Sequence, residues 1–221
     1  MVREKRREET PVVNDANRHI FLALSRPRAG REVEFNTWYD THHLSDVVTF
    51  APGFVRGRRY LASARQAEGP APPWVSLAIY DLQTEDVADM HLQVRANVKH
   101  FTPSNGVFED DHEAWVYTPL DDPSAEDGGR PSGLSAEHAR QILLAFSNDE
   151  KEITPQALGL VVEGRQFVLH PDQRLGVVAP WRRLTLFELA APLDGNPSSS
   201  AGPETRALWL YDPVGREAGS A

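Results

Sequence analysis

The sequence predicts an α+β fold: two ferredoxin-like (βαββαβ) units packed sheet to sheet as a barrel within one chain, the second unit lacking most of its helix. Three observations lead there. The first half alternates apolar, strand-like runs with two helical patterns in the order β-α-β-β-α-β, the split βαβ arrangement. Three of those runs recur in the same order in the second half. A four-stranded sheet with helices on one face has another face to bury, and two such faces can bury each other inside one chain as they do in a homodimer.

Residues 1–17 lack periodicity and hold the only basic run, REKRR at 3–7, so they read as a disordered tail. The first unit, 18–120, opens with a strand at 19–24 (HIFLAL). Residues 31–48 then read as a helix, entered after Gly30 and stopped by Ala51-Pro52-Gly53. Strands are expected at 54–61 (FVRGRRYL) and 74–82 (WVSLAIYDL), with a loop at 65–73 between them. Thr84 is the expected N-cap of a helix reaching about His100, with Val87, Met90, Val94 and Val98 as its apolar stripe. Residues 97–105, around His100 and Phe101, read as a lid or an ordinary loop. A strand at 113–118 (EAWVYT) closes the unit.

The stretch 121–137 is acidic and rich in Gly and Pro, a linker by composition. In the second unit, 138–215, ILLAFS at 142–147 answers IFLALS at 20–25. LTLFEL at 184–189 answers LAIYDL at 77–82, and ALWLYDP at 207–213 answers EAWVYTP at 113–119. Where the first unit has its helices, the second has only 154–162 (TPQALGLVV) and a Ser/Gly/Pro-rich loop at 192–203. Residues 216–221 read as a tail.

The 221 residues are 40% hydrophobic and 25% charged, ordinary proportions for a globular chain with a sizeable core. A formal charge of −9 argues against nucleic acid as a partner, because phosphate binding needs a basic face. The absence of cysteine removes disulfides, thiolate metal sites and cysteine nucleophiles together. No signal-peptide pattern and no run of membrane-spanning length is present, so a cytoplasmic protein without a membrane partner is expected. A small-molecule substrate is the expected partner, and a pseudo-dimer of this kind can still pair as a homodimer.

Residues 34–46, EFNTWYDTHHLSD, concentrate aromatic and titratable groups in one predicted helix. Side chains three and four apart share a helical face, so Asn36, Tyr39, Asp40, His43 and Asp46 form a polar stripe. A carboxylate beside an imidazole fixes its tautomer and raises its basicity, which suits acid–base work near neutral pH. On that logic His43 is the acid–base, Asp40 or Asp46 its orienter, and Tyr39 and Asn36 substrate-facing donors. The plainer reading has His43 bonded to a neighbouring carboxylate, only holding the helix in place. Trp38 reads as a core anchor or substrate platform, and His42 as a solvent-facing or substrate-contacting group. Arg56, Arg58 and Tyr60 alternate along one strand face and Arg59 points to the other, so one arginine could reach an anionic substrate group. Tyr80 has Phe187 as its counterpart in the second half, which marks its ring as packing and leaves any hydroxyl role optional.

The scattered histidines give no His-x-x-x-His or Glu-x-x-His pair, so no metal is expected. A haem would need an axial histidine such as His100 or His170. Neither a Gly-x-Ser-x-Gly elbow nor a glycine-rich phosphate loop is present, and no cofactor is expected.

The run Gly30-Arg31-Glu32-x-Glu34-Phe35-Asn36-x-Trp38-Tyr39-Asp40-x-x-His43-Leu44-x-Asp46, with Pro52-Gly53-Phe54 and Arg58-Arg59-Tyr60, resembles the EthD-like branch of the dimeric α+β barrel superfamily. Ser45 stands where members of that branch often carry proline. The resemblance implies paired ferredoxin-like units around a cavity between sheet and helices. It also implies cofactor-free lyases, isomerases, dehydratases or cyclases acting on small aromatic, terpenoid or polyketide-type substrates, with monooxygenases and haem enzymes in related branches. The expectation is therefore a cofactor-independent lyase or isomerase working through His43 on a small, largely apolar substrate. The alternatives are a cofactor-free monooxygenase and a non-catalytic protein that binds a hydrophobic ligand or a partner. Asn36, Trp38, His42, Arg58, Tyr60 and Tyr80 are the candidate substrate contacts beside His43, Asp40, Tyr39 and Asp46.

Overall fold

The computed structural model describes residues 17–66, 71–120, 139–148, 164–173, 179–193 and 206–219. All but Asn17 of the tail expected at 1–17, the linker at 121–137, the 154–162 segment and most of the 192–203 loop lie outside the described residues.

The strands are β1 (Arg18–Ser25), β2 (Phe54–Ala62), β3 (Ser76–Gln83), β4 (Glu113–Pro119), β5 (Gln141–Ser147), β6 (Gly164–Leu169), β7 (Arg183–Leu189) and β8 (Arg206–Gly219). They join as β1-β3-β2-β8-β5-β7-β6-β4, and β4 pairs back to β1. The expected pair of ferredoxin-like units packed sheet to sheet is thereby overturned: the molecule is one closed, antiparallel, eight-stranded barrel. The physical reason lies at the strand edges. Two open sheets would leave β2, β4, β6 and β8 with unpaired backbone groups, and closure pairs β2 with β8 and β4 with β6. To reach this, β8 runs on through Gly219, where the sequence suggested a tail, and pairs Gly219 with Arg56 and Ala218 with Gly57. The strand at β6 had no counterpart in the sequence reading.

Each run of four strands repeats one order, β4-β1-β3-β2 and β8-β5-β7-β6. Alternating side chains of all eight strands fill the barrel, with Trp115, Trp209, Phe146, Tyr117, Tyr211 and Tyr60 among its largest members. Two bonds cross between the halves in mirror fashion. Tyr117 donates to the Trp181 carbonyl at 2.9 Å, and Tyr211 donates to the Trp74 carbonyl at 3.0 Å.

The outer faces are covered separately. Over the first four strands lie α1 (Glu32–Trp38) and α2 (Leu44–Phe50), which run as one helix through a π turn at Tyr39–His43, and α3 (Val87–Asn97), which ends in a 3₁₀ turn at Val98–His100. The N-cap of α3 is Asp86, whose carboxylate accepts from the Asp89 amide at 2.9 Å; the expected cap, Thr84, instead bonds the Asp86 amide at 3.2 Å. A second apolar cluster of Phe21, Phe35, Tyr39, Leu44, Phe54 and Tyr80 binds these helices to the sheet. Among the described residues no helix is long and apolar enough to cross a membrane.

Glycine allows one close approach in each half. Gly57 pairs with Tyr80 and Gly164 with Phe187, and in both places the aromatic ring lies over the glycine. A Cβ at either position would stand 2.5 Å from a ring carbon. Gly57→Ala and Gly164→Ala are each expected to destabilise by roughly 1–3 kcal/mol through overpacking, seen as a lowered urea midpoint with unchanged slope.

Candidate active site

The helix that covers the first half does not keep a 3.6-residue rhythm throughout. Its sheet-facing residues are Phe35, Tyr39, Leu44 and Val48, and the step from Tyr39 to Leu44 is one residue longer than the steps beside it. The Leu44 amide accordingly bonds the Tyr39 carbonyl, a π turn. The inserted residue gives Leu44 the inward place that a regular helix would give to residue 43. His43 is displaced to the flank of the face, beside Trp38.

That flank is the wall of a cavity of about 250 Å³ between the outer face of the sheet and the helices. Phe21, Ala23, Phe54 and Tyr80 form its floor, and Trp38, Tyr39, His43, Phe101 and Phe108 enclose it. Trp38 stacks on His43 with ring centres 4.3 Å apart and planes 20° apart, and on Phe108 at 5.7 Å. Tyr39 meets His43 edge-on at 5.0 Å. Residue 102 ties the enclosure down from two sides: its carbonyl accepts from the Trp38 indole at 3.0 Å and its amide donates to Asp46 at 2.7 Å. Residues 101–102 thus help close the cavity, in the stretch read as a lid or ordinary loop.

Burial holds His43 neutral. Desolvation pushes its pKa down to about 4, against a weaker upward pull from Asp46. Its Nδ1 is buried without a hydrogen-bond partner. Three further buried atoms of cavity-lining residues share that condition, Ser25 Oγ, the Tyr80 hydroxyl and Glu113 Oε2. Burial also pushes the Tyr39 phenol up to about 12 and the Tyr80 phenol well above its ordinary value, so both are protonated donors near neutral pH.

The residues expected to orient His43 do other work. Asp40 does not reach it: its carboxylate accepts from Arg59 Nη1 at 2.8 Å. Asn36 accepts from Arg59 Nη2 at 2.5 Å, and Ser76 takes Nε at 3.2 Å. Arg59, 1% exposed, also lies 4.8 Å from the Tyr39 ring and 5.1 Å from that of Phe35. The π turn explains the correction, because it breaks the three-and-four spacing that put Asp40 beside His43. Asp46 touches His43 only through its field and bonds the Thr102 amide instead. Of the other expected contacts, Trp38 and Tyr80 line the cavity, but His42 is exposed and does not. Tyr60 belongs to the barrel interior, with the Arg58 guanidinium 6.0 Å from its ring, and neither lines the cavity. Arg59 was the residue sequence reasoning missed; an arginine among FVRGRRYL carries no signal of burial except the unmatched Asn36 and Asp40 on the facing helix.

Among the described residues no group of three potential ligands could hold a metal ion. His100, proposed as an axial haem ligand, lies against Phe50 at 5.8 Å, and His170 against His19 at 5.1 Å. Neither lines the cavity, so neither is placed to be an axial ligand there, and no step is drawn through a haem.

No protein-family model matches the chain, and no curated protein matches it in sequence. Solved structures do share its shape. An anthrone oxidase-like protein superposes with a TM-score of 0.54 at 9% identity, over 94% of each chain. A candidate monooxygenase from Lactobacillus acidophilus NCFM gives 0.45 at 9% identity, covering 92% of this chain and 96% of its own. The encapsulated DyP-type peroxidase from Mycobacterium smegmatis gives 0.45 at 11%, covering 92% and 95%. The first likeness supports a shared fold and does not distinguish the EthD-like branch.

Asp40→Ala is expected to cost about 2–3 kcal/mol in denaturant unfolding. That is below the roughly 3–5 kcal/mol of a fully buried broken pair, because the Asp40 side chain is 35% exposed. Stability should also fall with acid. His43 and His19 both have folded pKa values lowered to about 4, His19 by burial and by His170. Between pH 6.5 and about 4 the unfolded chain therefore binds protons that the folded chain does not, and stability declines as pH falls through that window. Melting curves of a His19→Gln, His43→Gln double variant should flatten that decline.

Proposed function

We propose that the chain is an enzyme that removes a proton from a small, flat, largely apolar substrate held in the cavity, with His43 as the general base. The carrying observation is a neutral imidazole in the wall of an apolar cavity with a ring nitrogen that nothing in the protein satisfies. A half-buried imidazole that stays neutral is in its proton-accepting form throughout the physiological range, and a base so weakened needs a substrate with an acidified C–H or O–H. A cavity of about 150 Å³ is known to take benzene, so one of about 250 Å³ suits a fused bicyclic ring system. Proton removal by a base of this kind needs a substrate whose conjugate base is delocalised, which points to an enolisable aromatic ketone or a phenol.

The likeness to an anthrone oxidase-like protein favours an oxidative outcome. There the enolate carbon would form a bond to dioxygen and, with one proton, give a hydroperoxide (two electrons). Loss of water, breaking the O–O bond and the remaining C–H bond, would leave a carbonyl (two more), so that CH₂ plus O₂ becomes C=O plus water. A lyase or isomerase outcome shares the first step and differs in the fate of the carbanion, which is reprotonated elsewhere or expels a hydroxyl. The protonated Tyr39 phenol beside His43 favours this second reading by supplying a donor.

The shared step is tested by the exchange of the α-protons of 1-tetralone into deuterated water, followed by NMR. The wild type should accelerate exchange, and His43→Gln should lower the acceleration by roughly 10²–10⁴-fold. Unchanged exchange in a folded His43→Gln protein removes the reading, and binding of 1-tetralone with no acceleration at all favours a non-catalytic binding protein. An oxygen electrode with anthrone as substrate separates the outcomes, since only the oxidative one consumes O₂.

A further inference from the structure

The two halves repeat one packing device with a single chemical difference. Tyr80 lies over Gly57 and Phe187 over Gly164, in the same register and with the same 2.5 Å limit on any added Cβ. Phe187 is fully buried and completes its device with a bare ring. The ring is therefore sufficient for the packing, and the Tyr80 hydroxyl is surplus to it. That surplus is unfavourable in the protein alone, because the hydroxyl is buried without a hydrogen-bond partner.

The Tyr39 phenol approaches from the helical side of the cavity. The two phenols lie close enough to perturb each other's ionisation, with Tyr80 leaning toward Tyr39 as a donor, in a contact that leaves the Tyr80 hydroxyl short of a well-formed hydrogen bond. Two protonated hydroxyls side by side can both turn toward an acceptor oxygen that reaches them. The ring itself sits among apolar groups: Phe21 and Phe54 pack edge-on against the Tyr80 ring at 6.2 and 5.4 Å, and neither carries a polar atom in its side chain. A neutral pair of donors in an apolar site stabilises charge that develops on oxygen more than charge already present.

We propose that the Tyr39 and Tyr80 hydroxyls form a two-donor clamp for one acceptor oxygen of the substrate, the carbonyl oxygen that gains charge as the adjacent proton leaves. The choice of a carbonyl rests on the proton-abstraction reading above. The clamp itself rests on the Tyr80–Phe187 difference and selects bicyclic aromatic ketones over the corresponding hydrocarbons.

The test compares two ligands of one shape, 1-tetralone and tetralin, by titration calorimetry against the wild type, Tyr80→Phe and Tyr39→Phe. The ratio of ketone to hydrocarbon affinity is expected to fall about tenfold in Tyr80→Phe, with tetralin affinity unchanged. Tyr39→Phe should lower the same ratio. The melting temperature of Tyr80→Phe should hold or rise, since the variant restores the device of the other half. An unchanged ratio overturns the clamp, as does a wild type that binds neither ligand. A marked loss of stability in Tyr80→Phe overturns it too, by making the hydroxyl structural. Proton exchange in His43→Gln and the affinity ratio in Tyr80→Phe are separate readouts, so a failure of the proton-abstraction reading and a failure of the clamp are told apart.

Discussion

Barrel closure sets the terms for everything else in this molecule. Once β2 meets β8 and β4 meets β6, one face of every strand is committed to a single interior, which holds the largest aromatic side chains of both halves. The mirror bonds Tyr117 to Trp181 and Tyr211 to Trp74 then make each half the hydrogen-bond partner of the other. A buried tyrosine hydroxyl is costly without an acceptor, and for Tyr117 and Tyr211 each acceptor belongs to the opposite half, so neither half satisfies these two groups alone. Closure also bears on where a ligand can go. The interior is packed, and the cavity lies where the helices of the first half fail to lie flush on the outer face.

Two local devices give that space its chemistry. Arg59 rises from the outer face of β2 into the helix and is matched there by Asp40, Asn36 and Ser76. A buried cation tolerates few alternative partners, so it fixes the phase of the helix on the sheet more narrowly than apolar contacts would. With Asn36 and Asp40 pinned, the π turn takes up one extra residue between Tyr39 and Leu44, and His43 moves to the cavity wall. The polar stripe that looked catalytic is thus divided. Its Asn36 and Asp40 hold the helix, and its Tyr39 and His43 meet the cavity.

The strands were legible because alternating apolar residues and turn signals are local, and β1, β3, β4, β5 and β7 appear close to where the pattern places them. Closure was not legible, because pairing between β2 and β8 joins residues more than 150 positions apart, as in Arg56 with Gly219, and edges leave little trace in composition. β6 escaped for a related reason: its burial is partial, with only Phe167 fully inside, so no clean alternation marks it. At the site, residue identity pointed to the right helix, and helical spacing pointed to the wrong partners. A 3.6-residue rule cannot anticipate a π turn, and Asp40 was paired with His43 because nothing in the sequence announces that Arg59 is buried.

Comparison of the halves separates the demands of the scaffold from those of the site. Trp115 and Trp209 occupy corresponding strands, and both leave a buried indole nitrogen without a partner. An unfavourable feature present in both copies belongs to the barrel, where two large rings fill an interior that offers no acceptor. Tyr80 behaves differently, since Phe187 fills the corresponding place without a hydroxyl. Ser25 differs too: its hydroxyl is buried without a partner, whereas Ser147 on β5 is engaged. Unsatisfied groups confined to one half are not explained by how the barrel closes. Ser25, His43, Tyr80 and Glu113 all line the same cavity, so their unmet bonds belong to the cavity and not to the barrel.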